Sequence, residues 1–375
     1  MKRRPGSALP AAVLAFILLG VLGAAYGPAI PRLRAEFSLT AAGAGTALTA
    51  HYLGTLAGIV LAGVFATGRW GGFVTQAAAL SAGAGCAVIA SSQSWPVFLL
   101  GAGLVGLGNG LAAARVNAWA SSAFGGRSAA VVTLLNAAYG LGAILGPVVI
   151  AAAEPTAPGF RLPVAAAGAA ILVLTPFLGA MTLPDHEPGL AGPAQSGPLL
   201  VAFAVLFLAY GGLETSSGAW IPTHARLWGG AAAAAAVAAS FWAAMTAGRL
   251  LTAPLSLRAG VPGLVTASLA VAGLAYAAAG VPALVPAAYP VAGFGLAAVF
   301  PMGLVWCARL TGPRSIPLVM GFSAFGGAAF PPLAGLVIGA AGPAAVPQAL
   351  LALCAACLLL AGAVLTWTRR AALAA

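Results

Sequence analysis

The sequence predicts an all-α membrane protein of twelve transmembrane helices in two pseudo-symmetric six-helix bundles, with both termini cytoplasmic. Three observations carry this. Apolar residues make up 62% of the 375 and charged residues 6%, where a soluble globular chain carries roughly 25% charged residues. So few charges leave a soluble surface uncoated, and lipid replaces water around most of the chain. Polar or Gly/Pro punctuation divides the chain into twelve apolar runs, each near the roughly 20 residues that a helix rising 1.5 Å per residue needs to cross a bilayer. The two halves of the chain also echo each other.

The runs fall at 9–31, 41–66, 73–92, 96–123, 129–152 and 161–183 in the first half, and at 198–225, 230–256, 261–279, 282–309, 314–340 and 344–368 in the second. Most connections are short, which makes neighbours in sequence antiparallel. The opening Met1-Lys2-Arg3-Arg4 followed by an apolar run imitates a signal peptide, but the many later runs make it a first spanning helix with a basic flank. Placing that flank inside puts Lys2, Arg3, Arg4, Arg69, Arg127, Arg258, Arg309, Arg314, Arg369 and Arg370 on the inner side. Arg32, Arg34, Arg161 and Arg226 fall outside, and Arg115 and Arg249 fall within spans. The basic excess inside predicts a multi-pass protein of the cell (inner) membrane with both ends in the cytoplasm.

Residues 184–197 form the predicted cytoplasmic linker, rich in Pro and Gly and holding Asp185 and Glu187, between bundles 1–183 and 198–375. Across it, Gly27 with Ile30-Pro31 matches Gly218 with Ile221-Pro222 at an offset of 191. Arg69/Gly71 matches Arg258/Gly260 at 189, Gly106/Gly108 matches Gly293/Gly295 at 187, and Tyr139-Gly140 matches Phe325-Gly326 at 186. Six-helix halves repeated in this way place a solute site near the midplane and work by rocking.

Other classes find little support. The net charge of +11 comes from basic residues scattered singly, with no continuous face to track a phosphate backbone, so nucleic acid is not an expected partner. Cys86, Cys307, Cys354 and Cys357 all lie in apolar runs, which gives no disulfide framework, and Cys354-Ala-Ala-Cys357 has no βαβ context for a redox motif. His51, His186 and His224 have no zinc-ligand spacing. No Walker A or H-E-x-x-H occurs. Gly101-Ala-Gly103-Leu-Val-Gly106 fits G-x-G-x-x-G, but it lies inside an apolar helix, where small residues serve close helix packing. The expectation is no enzyme, no cofactor and no metal, in a monomer whose partners are lipid, a small-molecule substrate and a coupling proton.

Ionisable groups within spans are the informative minority, since each costs about 2.5–3.5 kcal/mol or more at a helix centre. Of five acids, only Glu214 is deep in a span, ~24 Å along the seventh helix. Tyr210, Glu214, Ser217 and Ile221 fall on one helical face, as suits a proton carrier, a substrate ligand, or both; a structural ion pair is the plainer alternative. Arg115, ~12 Å from the inner end of the fourth helix, has three readings: partner of Glu214, anion contact, or a side chain reaching the interface. Arg249 is expected to snorkel to the inner interface. Tyr26, Asn109, Asn136, Tyr139, Trp220 and Trp242 complete the candidate substrate set, since amides, hydroxyls and aromatic faces suit sugars; helix packing is the alternative for each. His51 is a secondary candidate.

Several of these segments resemble the fucose–proton symporter family of the major facilitator superfamily. Tyr210-Gly-Gly-Leu-Glu214, continuing to Gly218-Ala-Trp220-Ile-Pro-Thr223, is similar to that family's Y-x-G-x-E…G-x-W-x-x-T pattern. Gly248-Arg249, Asn136 with Tyr139-Gly140 and Gly146-Pro147, and Gly326-Gly327 with Pro331 also resemble it. The resemblance implies the major facilitator fold and secondary active transport by alternating access, most simply proton-coupled symport of a small polar solute such as a sugar. Export of amphipathic or organic-anion compounds, with Arg115 as anion contact, is the alternative. The superfamily's loop between helices 2 and 3 is matched here by Arg69 and Gly71, echoed by Arg258 and Gly260, as an inner-gate loop; its acid and later basic residues are missing. The family resemblance also implies carboxylates in helices 1 and 4. Here the predicted helix 1 carries none and helix 4 carries Arg115, so proton coupling falls to Glu214.

Overall fold

The computed structural model describes residues 8–65, 71–179, 181, 197–312 and 315–374, all helix and short connection. The helices are α1 (Leu9–Phe37), α2 (Ala41–Val64), α3 (Gly71–Ser91), α4 (Trp95–Ala123), α5 (Ser128–Ala153), α6 (Arg161–Leu178), α7 (Gly197–Ala259), α8 (Val261–Ala278), α9 (Val285–Leu296), α10 (Val299–Thr311), α11 (Ile316–Ala341) and α12 (Val346–Ala374). The chain divides into two compact units, Met1–Pro188 and Gly189–Ala375. The predicted linker lies outside the described residues up to Gly197, where α7 begins, as do the basic flank at 2–4 and Arg69.

Among the described residues, eleven helices are long and apolar enough to cross a membrane. One of them, Gly197–Thr252, has 56 residues, near 84 Å at 1.5 Å per residue against a hydrocarbon core of about 30 Å. Its backbone is not helical at Gly229 (φ −162°) and Gly230 (φ 68°, ψ −157°), and the positive φ at Gly230 is open to glycine at little cost. The chain reverses there. Residues 35 apart, Arg249 and Glu214, meet at 2.8 Å, whereas a straight helix would hold them ~52 Å apart. Thus α7 is a hairpin of two antiparallel segments. The predicted run at 282–309, by contrast, keeps right-handed helical backbone at Ala297 (φ −56°, ψ −41°) and Ala298 (φ −82°, ψ −19°), but its helical hydrogen bonding is interrupted between Leu296 and Val299. Pro301 supplies the cause: it has no N–H to offer the Ala297 carbonyl, and its ring crowds that carbonyl.

In the first unit α1 packs along α5, and α4 packs against α2 and α3; in the second, α7 packs along α11 and α9, and α8 along α9 and α12. The crossings are close because glycine stands at them. A Cβ on Gly20 would lie 2.1 Å from the Tyr139 carbonyl oxygen, and one on Gly142 would lie 1.9 Å from that of Ile17. The second unit repeats the crossing: a Cβ on Gly211 would lie 2.0 Å from the Ser323 oxygen and one on Gly326 1.9 Å from the Leu208 oxygen. Likewise a Cβ on Gly106 would lie 1.8 Å from the His51 oxygen and one on Gly293 2.2 Å from the Phe241 oxygen. These contacts set the register of the repeat at offsets of 191 for α1, 190 for α2, 187 for α4 and 184 for α5. The last corrects the sequence match: Gly142, not Gly140, is the counterpart of Gly326, and Pro147 then falls on Pro331. Gly101, Gly103 and Gly106 all lie inside α4.

Candidate functional site

The ionisable centre of the second unit is built by the α7 hairpin. Glu214 comes from its first segment and Arg249 from its second, and the guanidinium donates to the carboxylate at 2.8 Å. Arg249 therefore does not snorkel. Folding the hairpin at Gly229–Gly230 brings it alongside Glu214. The pair is not sealed: the Glu214 side chain is 23% exposed and that of Arg249 37%. Arg249 Nε is buried and has no hydrogen-bond partner. Tyr210, one turn before Glu214, lies within electrostatic reach of both charges and donates its hydroxyl to the Leu296 carbonyl at 3.2 Å. Trp242, from the second segment, lies against Gly218, one turn after Glu214; a Cβ there would come within 2.9 Å of the indole.

Other candidates on the same stretch are spent on the bundle itself. Ser217 is fully buried, donates to the Leu213 carbonyl at 2.8 Å and lies 2.6 Å from the Tyr276 hydroxyl. Trp220 is fully buried and its indole N–H donates to the Pro331 carbonyl at 2.9 Å. The face expected to line a cavity thus divides: Glu214 remains partly open, while Tyr210, Ser217 and Trp220 tie α7 to α9, α8 and α11.

In the first unit, Tyr26 is buried on α1 and its hydroxyl lies 3.2 Å from His51 Nδ1 on α2, with Tyr52 edge-on to the imidazole. The Tyr139 hydroxyl of α5 stands where a Cβ of Gly23 would be, 2.6 Å away. At the register set by the packing, Gly23 is the counterpart of Glu214. A neutral phenol thus occupies the place that a charge pair occupies in the other unit. Arg115 is 3% exposed inside α4, and Glu214 has Arg249 as its ion-pair partner. Asn109 is half-buried on α4; Asn136 is exposed on α5 and donates to the Val132 carbonyl at 2.9 Å. Gly71 is the first residue of α3, Arg258 lies in the last turn of α7, and Gly260 joins α7 to α8 at φ 69°.

Sequence reasoning missed three features. The ion pair was hidden because which arginine meets Glu214 depends on where α7 folds back, at Gly229–Gly230. The break before α10 was signalled by Pro301. The third lies at the α6 start, where Arg161 makes an ion pair with Glu36 and donates to the carbonyls of Ile89, Ala90 and Ser92 at 2.9, 2.9 and 2.7 Å. One guanidinium thereby closes the C-terminal end of α3 and ties it to α1.

A family model described as Major Facilitator Superfamily matches residues 12–324. Among solved structures, the chain is similar to the nucleoside transporter NupG at 14% identity, covering 97% of this chain and 98% of that one, with a TM-score of 0.76. It is similar to a bacterial homolog of the human lysosomal transporter Spinster at 15% identity, covering 97% and 96%, with a TM-score of 0.77. It is also similar to the transporter FucP in its outward conformation, at 16% identity, covering 96% and 99%, with a TM-score of 0.65. No curated protein matches the chain.

Proposed function

The chain belongs to the major facilitator superfamily, is a multi-pass membrane transporter and not an enzyme, and on that premise we propose that it is a proton-coupled symporter of a small polar solute such as a sugar. It would work by alternating access with Glu214 as the proton-carrying group. The observation that carries this reading is the Glu214–Arg249 pair, set among apolar helices yet 23% and 37% exposed. A buried pair is held together because breaking it strands a charge in low dielectric. A proton on Glu214 removes the anion and releases Arg249, which converts proton binding into a local rearrangement. The alternative solute class, an organic anion moved outward, is favoured by the unpartnered Arg249 Nε, which has a donor to spare for a carboxylate.

The same reading makes the α7 hairpin two crossings, for twelve in all, with both termini in the cytoplasm. Purified protein in liposomes loaded with a pH-sensitive dye decides the coupling. An inward pH gradient is expected to drive accumulation of at least one of a panel of labelled neutral monosaccharides, with matching proton entry. Glu214→Gln is expected to keep downhill exchange and lose accumulation. Undiminished concentrative uptake by Glu214→Gln would remove Glu214 from the coupling role; uptake of organic anions alone would favour the alternative.

A further inference from the structure

The internal repeat acts as a built-in control, because each unit shows what its counterpart looks like without a given feature. Set side by side at the packing register, the units differ at a few connected places. Glu214 stands where the first unit has Gly23, Arg249 where it has Ile59, and Tyr210 where it has Leu19. The span from Val285 to Thr311 is interrupted after Leu296, whereas its counterpart α4 runs unbroken from Trp95 to Ala123. Pro301, which causes the interruption, stands where α4 has Ala114.

These departures touch one another. The Tyr210 hydroxyl donates to Leu296, the last residue before the break, at 3.2 Å. Its ring lies 6.1 Å from that of Phe300, just beyond the break, so one side chain straddles the interruption. Tyr210 precedes Glu214 by one helical turn, within electrostatic reach of Glu214 and Arg249. From the other side, Gly248, next to Arg249, lies against Ala297 inside the break: a Cβ there would fall 2.6 Å from that of Ala297. The two segments of α7 that carry the charges are therefore both packed on the same interrupted turn, one through Tyr210 and the other through Gly248. The last carbonyls of a helix lack intrahelical donors, and here a side chain that faces the ion pair supplies one.

We propose that the interrupted turn between α9 and α10 is a hinge held closed by the Glu214–Arg249 pair, with Tyr210 as the positioning residue that links the pair to the turn. This rests on Glu214 as the group that changes charge during transport. Loss of the anion frees Arg249 and loosens the neighbouring Gly248 contact on Ala297, so that the Tyr210–Leu296 hydrogen bond is left to hold the turn alone and gives way more readily. The α10 segment can then reorient about Ala297–Ala298. The first unit, with no charge pair and no proline at the equivalent place, has no such joint.

Amide hydrogen exchange on the full protein in nanodiscs tests this without any solute. Tyr210→Phe and Glu214→Gln are each expected to speed exchange about fivefold over residues 294–304, the scale on which one lost hydrogen bond acts, and to leave 107–117 of α4 unchanged. Tyr276→Phe, which removes the Ser217 contact elsewhere in the same unit, is expected to leave 294–304 unchanged. Pro301→Ala is expected to mend the turn, so that adding Glu214→Gln no longer changes its exchange. Unaltered exchange at 294–304 in both Tyr210→Phe and Glu214→Gln overturns the proposal, as does an equal rise in every helix of the unit. The hinge and the coupling reading fail separately: a turn that responds in a protein with no proton-driven uptake keeps the hinge and removes the proton, and the reverse result keeps the proton and removes the hinge.

Discussion

At Glu214 and Arg249, each residue makes the other tolerable within the bilayer. Removing one partner of a fully buried pair costs about 3–5 kcal/mol; with side chains 23% and 37% exposed, solvent screening lowers that to about 1–2 kcal/mol. Arg249→Ala and Glu214→Ala are each expected to lower the thermal transition of the purified protein by several degrees. The double variant is expected to recover part of the loss, because it leaves no stranded charge. Strictly additive losses in a thermal-melt cycle would show that the two side chains do not stabilise each other. Glu214 itself was legible in the sequence, because a lone acid deep in an apolar run has few structural uses. Its partner was not, because which arginine it meets depends on where α7 folds, and a two-residue Gly229–Gly230 turn between long apolar runs does not state its geometry. Tyr210, Ser217 and Trp220 show the same limit: helical periodicity placed them on neighbouring faces but could not say which neighbouring helix takes up their hydroxyls and indole.

At the level of the helix, glycine decides which pairs of elements touch. Gly142→Ala and Gly326→Ala place a methyl 1.9 Å from a carbonyl of the facing helix, and each is expected to cost about 1–3 kcal/mol or more as the backbones separate. Gly63→Ala, with nothing within 4 Å of the added methyl, is expected to stabilise by about 0.5–1 kcal/mol through the helix backbone alone. Thermal melts of the three variants separate packing glycines from incidental ones. Arg161 governs another element: Arg161→Ala leaves three carbonyls of the α3 end and Glu36 without their donor and is expected to destabilise the first unit. Arg161→Lys is not expected to rescue it, since a point ammonium cannot reproduce the fork. Helix existence was legible from apolar run length, and the repeat from glycine order. The register of α5 on α11 was misread by two residues because the sequence is so rich in Gly and Ala that several alignments score alike; only the carbonyl that each glycine meets distinguishes them.

The number of crossings is a property of the whole chain, and the α7 hairpin decides it. If the hairpin crosses twice, Gly230 lies on the face opposite both Gly197 and Gly260; if it crosses once, Gly197 and Gly260 lie on opposite faces. The four native cysteines are buried, so a single introduced cysteine is read against a quiet background by a membrane-impermeant maleimide. With both termini inside, Gly230→Cys is expected to label in intact cells and Gly260→Cys only after the membrane is opened. Gly230 and Gly260 have no neighbour within 4 Å of an added Cβ, although both have positive φ, so Leu227→Cys and Pro262→Cys serve as a second pair without that strain. Labelling of both sites from the same side would return the count to eleven and reverse every crossing that follows. That outcome would also dissolve the Glu214–Arg249 contact, because Arg249 reaches Glu214 only where the second segment of α7 runs back along the first.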